Sequence, residues 1–105
     1  MPGKRRRVAP SAPYHDWLIK SLKDPKEAAA YLEAAIDDGD QAGLMRALRN
    51  VAEARGGIGY IAKSANLNRE SLYRTLSAGG NPELRSLTAI LHAAGLRLSV
   101  TTARR

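Results

Sequence analysis

Between Ile58 and Ser77 the chain reads IGYIAKSANLNRESLYRTLS, and this stretch leaves little freedom of fold. Apolar residues recur at helical spacing on either side of a short polar break, which predicts two short helices, about Ile58–Ala65 and Arg69–Leu76, joined by a tight turn. The turn needs a residue that tolerates left-handed backbone angles, and Asn66 is one of the few non-glycines that does. Asn68 can cap the second helix by accepting from the amide near Ser71. Two helices that close must touch through small side chains. Ala62 supplies one, with Ile61 and Ala65 turned inward, Leu67 plugging the core and Leu72 packing beneath the second helix.

The flanking sequence is punctuated in the same way. Asp24 is an N-cap, Pro25 suits the first helical position and Glu27 completes a capping box. Ala28, Leu32, Ala35 and Ile36 follow at helical spacing until Gly39. Asp40 is expected to cap the next helix, with Leu44, Leu48, Val51 and Ala52 inward and Gly56-Gly57 closing it. Asn81 and Pro82 open a fifth helix bearing Leu84, Leu87, Leu91 and Ala94. Gly95 ends it in a Schellman turn, with Leu96 folding back on Leu91. Leu96, Leu98 and Val100 then alternate with Arg97, Ser99 and Thr101, predicting a short strand whose unpaired edge seeks a partner. Residues 14–23 promise one or two amphipathic turns with Leu18 and Leu22 on one side. Aromatics are only 5% of the chain and Phe is absent, so Ala, Leu and Ile must fill the core. The expected fold is all-α: five helices around the central pair, plus a C-terminal strand.

Charge divides the 105 residues unevenly. Residues 1–13 form a basic arm (MPGKRRRVAPSAP) of charge +4, expected to be flexible. An acidic helical segment, 14–39, follows; residues 14–40 carry −4, and 41–105 carry +7. Residues 40–102 are read as the helical domain with its strand, and 103–105 as a tail. A basic body favours polyanions through counterion release, although lysines and arginines also simply solvate helix faces. The second helix of the central pair points Arg69, Glu70, Tyr73 and Arg74 away from Leu72 and Leu76, with Ser77 one turn on. Such a face suits the major groove of double-stranded DNA. A bidentate arginine–guanine pair discriminates by roughly 1–3 kcal/mol. Lys63, Ser71 and the helix amides are better placed for phosphates. Glu70 can accept from cytosine or orient Arg74 at i,i+4; that pair is also a common surface salt bridge. Arg69 in a helix's first turn opposes the dipole unless an anion meets it.

The segments LKDPKEAAAYLEAAIDDGD, LMRALRNVAEARGG, IAKSANLNRESLYRTLS and GNPELRSLTAILHAAGLRLSV resemble the probable addiction-module antidote family. These are HigA-like antitoxins of type II toxin–antitoxin pairs, with a Cro/phage-repressor helix-turn-helix. The likeness runs from about Asp16 to Val100 and is most specific in NRESLYRTLS and GNPEL. It implies a protein that neutralises a RelE/ParE-like toxin and represses its own operon. The residues Asn68, Arg69, Glu70, Ser71, Tyr73 and Arg74 match the recognition helix, while Asn66 stands where many members have glycine. On this reading a basic toxin is steered toward Asp24, Glu27, Glu33, Asp37, Asp38 and Asp40, and Tyr14, Trp17, Leu18, Leu22 and Tyr31 supply apolar anchoring area. Alternatively, Trp17 and Leu22 pack on the protein's own helices.

Nothing in the sequence has the spacing of a catalytic set, phosphate loop or metal site. His15 and His92 stand far apart, cysteine is absent, and no apolar run approaches the roughly 18 residues of a membrane span. The arm has no apolar segment behind it, unlike a secretory signal. No enzymatic activity, cofactor or membrane association is expected, and the expected location is the bacterial cytoplasm, with the nucleoid when bound to DNA. Two alternatives stay open: a stand-alone phage-type regulator, and a protein-interaction module without DNA binding. A homodimer is possible, and residues 96–102 can serve that contact or join the toxin's sheet.

Overall fold

In the computed structural model, which describes residues 12–103, every regular element is helical: α1 (Ala12–Ser21), α2 (Pro25–Asp38), α3 (Gln41–Ala54), α4 (Ile58–Ser64), α5 (Arg69–Thr75) and α6 (Leu84–Ala93). The punctuation explains most boundaries. Asp24 accepts the Lys26 amide at 2.9 Å, Pro25 opens α2, and Gly39 leaves it at φ +79°. Gly95, at φ +83°, ends α6 in the predicted Schellman turn: its amide reaches His92 O at 2.9 Å and the Leu96 amide reaches Leu91 O at 2.8 Å.

α3 is the hub. It packs against α1, α2 and α4, and buries Met45, Ala47, Leu48, Val51, Ala52 and Ala54. Leu18 and Leu22 from α1 and its exit, Ala28 and Leu32 from α2, Ile61 and Ala62 from α4, and Leu72 and Leu76 join the same core. α6 closes it against α4 with Ile90, Leu91 and Ala94. Each fully buried leucine stabilises the fold by roughly 1.5–3 kcal/mol.

Several expectations are corrected. Of residues 14–23, expected to form a turn or two, 14–21 belong to a ten-residue helix beginning at Ala12 and 22–23 to the turn after it, so there are six helices among the described residues instead of five. Of the arm assigned to 1–13, Ala12 and Pro13 are helical; the rest, with Arg104 and Arg105, lies outside the described residues. No strand forms among the described residues. Residues 96–103 run on without helix, turn or bend, because a strand exists only through hydrogen bonds to a neighbour and none is offered. α6 starts two residues after Pro82, with Glu83 at its N-cap position, so Leu84 is thrown outward at 69% exposure and Ile90 takes a core position. Asp40 stands at the N-cap of α3 but makes no side-chain hydrogen bond there. Ile36 is exposed rather than core.

Candidate nucleic-acid interface

α4 and α5 pack directly on one another across residues 65–68. Asn66 takes φ +60°, the one described non-glycine with positive φ. The Leu67 amide reaches Ala62 O at 2.8 Å and the Asn66 amide reaches Lys63 O at 3.1 Å, so α4 ends in a Schellman turn with asparagine in the glycine position. Asn68 Oδ1 then accepts from the Glu70 amide at 2.8 Å and the Ser71 amide at 3.2 Å, two of the donors that a helix start leaves unpaired.

With Leu72 and Leu76 both fully buried, the opposite face of α5 is fixed. Arg69, Glu70, Tyr73 and Arg74 are exposed, as are Ser77 and, on α4, Lys63; Ser71 is half-buried. The Arg69 guanidinium lies back toward Gly59, in ordinary contact (3.8 Å) with the place a side chain would occupy there. Arg74 leans to Ser71 Oγ at 3.4 Å and not to Glu70, so the expected i,i+4 ion pair is not made. Ser77 Oγ donates to Arg74 O at 2.8 Å, tying down the last turn of α5.

Three polar side chains that sequence reasoning missed tie distant parts of the chain together, two of them at the exit of α5. Arg49 of α3 donates to Leu76 O, and Gln41 donates to Gly80 O at 3.0 Å in the loop beyond α5. Arg55 donates to Ala94 O at 2.8 Å and to Lys23 O. Arginine near helix-end carbonyls is a recognised partner, but these acceptors lie 27 to 39 residues away in sequence, and no local pattern reveals them. Two arginines counted toward the basic body therefore serve carbonyl groups of the protein itself.

The residues named for a protein partner separate into two sets. Tyr14 and Trp17 are 47% and 61% exposed, with ring centroids 5.8 Å apart and tilted by 36°. Leu18 and Leu22, expected beside them as surface anchors, are core residues at 8% and 1% exposure; the single apolar face of α1 turns onto α3. Tyr31 is half-buried, its hydroxyl accepting from Asn50 Nδ2 at 2.9 Å. Glu27 and Glu33 are exposed. His15 Nε2 meets Glu53 at 3.3 Å, joining α1 to the end of α3. No helix among the described residues is long and apolar enough to cross a membrane.

Residues 16–102 match the family model described as "Probable addiction module antidote protein". The chain belongs to this antidote family. Membership implies an antitoxin role and, in general terms, a toxin partner. A Haemophilus influenzae (strain ATCC 51907 / DSM 11121 / KW20 / Rd) relative described as "Uncharacterized protein" is 30% identical over 87 residues, which is 83% of this chain and 89% of that protein. No solved structure matches the chain. The match spans α2 to α6 and the last six residues of α1, so Trp17 and the α4–α5 unit lie inside the family's extent, whereas Tyr14 precedes it.

Proposed function

We propose that this antidote acts twice: it neutralises a RelE/ParE-like toxin by direct binding, and it represses its own operon by inserting α5 into the major groove as the second helix of a Cro-type helix-turn-helix. One observation carries the DNA reading. α5 is anchored by two fully buried leucines and capped by Asn68, while its outward face presents two arginines and a half-exposed tyrosine. Arg74 donates to Ser71 Oγ at 3.4 Å and does not pair with Glu70, so the two side chains meet the groove separately. Lys63 on the neighbouring helix serves a phosphate.

The toxin reading rests on family membership and on the Tyr14–Trp17 pair, which puts large aromatic area in solvent on the helix that precedes the acidic α2 in sequence. Such a site steers a basic partner by charge and anchors it by ring burial.

Mobility shift with the DNA upstream of the reading frame tests the first activity. Arg69→Ala and Arg74→Ala should each weaken operator binding by roughly 10-fold or more while leaving binding to unrelated DNA nearly unchanged. Deleting Arg5–Arg7 should weaken all sequences alike and flatten the salt dependence. If both α5 arginines can be removed with no change in operator affinity, the groove assignment is wrong. Co-expression with the adjacent gene product tests the second activity: a small basic toxin should co-purify with the native chain.

A further inference from the structure

One side chain joins three parts of the chain that are far apart in sequence. Arg55 stands at the C-cap of α3, Lys23 lies in the turn just beyond α1, and Ala94 is the C-cap of α6. The Arg55 guanidinium donates to Ala94 O through Nε at 2.8 Å and to Lys23 O through Nη1. No described backbone amide donates to either carbonyl, so the arginine satisfies both, with bonds strengthened by its charge. Gly95 leaves the room for it: a Cβ there would stand 2.8 Å from Arg55 Nη2.

Of the parts so joined, α1 has the least else to hold it. That helix buries one side chain of its own, Leu18, with Leu22 just past its end, whereas α3 buries six. His15 of α1 meets Glu53 at 3.3 Å, but both groups are well exposed, and such a pair holds little. The α4–α5 unit takes no part in the Arg55 contacts. Ile61, Ala62, Leu72 and Leu76 join it to the core, and Arg49 and Gln41 donate at the exit of α5.

We infer, resting on the α1 toxin contact proposed above, that Arg55 is a positioning residue for the protein partner: it fixes α1, and so Tyr14 and Trp17, to a body that meets DNA without its help. Loss of Arg55 then costs toxin binding and spares operator binding, although Arg55 itself touches neither partner. Without the guanidinium both carbonyls lack a donor, and α1 opens more often while the rest of the fold stays closed. One charge-assisted hydrogen bond holds such an equilibrium by roughly 10- to 100-fold.

Hydrogen exchange on the full-length chain reads α1 with no partner present. Arg55→Met keeps the apolar stem and removes every donor. In that variant the Leu22 and Asp24 amides, bonded to Leu18 O and Ser21 O, should exchange at least ~10-fold faster relative to the amides of α3. Calorimetric titration with the co-purified toxin should show affinity at least ~3-fold weaker, reduced by the fraction of chains that keep α1 docked. Operator affinity in mobility shift should stay within about 2-fold of native, since no phosphate or base contact is lost. Gly95→Asn keeps a residue that tolerates the left-handed backbone but pushes the guanidinium aside. It should give the same changes, smaller, and add little to Arg55→Met. Unchanged exchange at Leu22 and Asp24 in Arg55→Met would overturn the positioning role, as would equal losses of toxin and operator affinity, which mark general packing. Toxin binding lost in Trp17→Ala but kept in Arg55→Met would overturn the role of Arg55 and leave the α1 contact standing. Binding kept in Trp17→Ala would remove that contact, and the role of Arg55 with it.

Discussion

Adding one methyl group to Gly80 should cost this protein several kcal/mol of stability. A Cβ at that buried position would stand 1.8 Å from Thr75 O, 2.7 Å from Thr75 C and 2.9 Å from Ser77 O. All three are backbone atoms, so no rotamer change relieves the overlap. Reaching an ordinary 3.4 Å contact with Thr75 O means moving the loop by well over an ångström, which breaks the Gly80 amide's bond to Ser77 O and Gln41's bond to Gly80 O. Two hydrogen bonds at about 1 kcal/mol each and about 1–3 kcal/mol of overpacking give a loss of about 3–5 kcal/mol. For a domain of this size each kcal/mol lowers Tm by about 4–8 °C, so Gly80→Ala should melt at least ~12 °C below the native chain in far-ultraviolet circular dichroism. Gly79 is the control: a Cβ there meets nothing within 4 Å and its φ is not in the left-handed region. Gly79→Ala should be neutral or should stabilise by about 0.4–1 kcal/mol through the unfolded chain. If Gly80→Ala melts within ~3 °C of the native protein, the packing described for the α5 exit is wrong.

Asn66→Val should destabilise by about 1–2 kcal/mol, since a β-branched side chain opposes φ +60°, while Asn66→Gly should match or slightly exceed native stability; urea titration with an unchanged m-value separates them. Asn68→Ala removes acceptors for two α5 amides and should cost about 1 kcal/mol, whereas Asn68→Asp should keep stability yet lower DNA affinity in mobility shift. Trp17→Ala deletes a side chain 61% exposed, so Tm should move little; calorimetric titration with the co-expressed toxin should show at least ~10-fold weaker binding. Equal affinities in that last pair would move the toxin contact off α1.

How much of this was legible from sequence follows the range of each cause. Asn66, Asn68, Gly39 and Gly95 act on amides within a few residues, and their turns and caps stand where the residue types point. The inward placement of Leu72 and Leu76 is equally local, being a helical repeat. Facing is less so. Leu84 and Ile90 are both apolar, and only the start of α6 beyond Pro82, with the position of α4, decides which one is buried. Trp17 was expected to be either an anchor or core; the answer depends on Leu18 and Leu22 occupying the only face of α1 that meets α3. The Arg49, Gln41 and Arg55 contacts are wholly tertiary and left no trace in periodicity. The C-terminal alternation suggested a strand with one buried face, but polarity does not create hydrogen-bond partners: of Leu96, Leu98 and Val100 only Leu96 is half-buried and no strand forms among the described residues.

α5 comprises seven residues, about two turns, far below the 12–15 or so at which a helix persists alone in water. Its shape is lent by what lies under it. Operator recognition should therefore have no melting curve of its own: on heating, sequence-specific binding should vanish together with the cooperative collapse of the hydrophobic interior, and a loosened interior far from the duplex should silence repression as surely as losing an arginine.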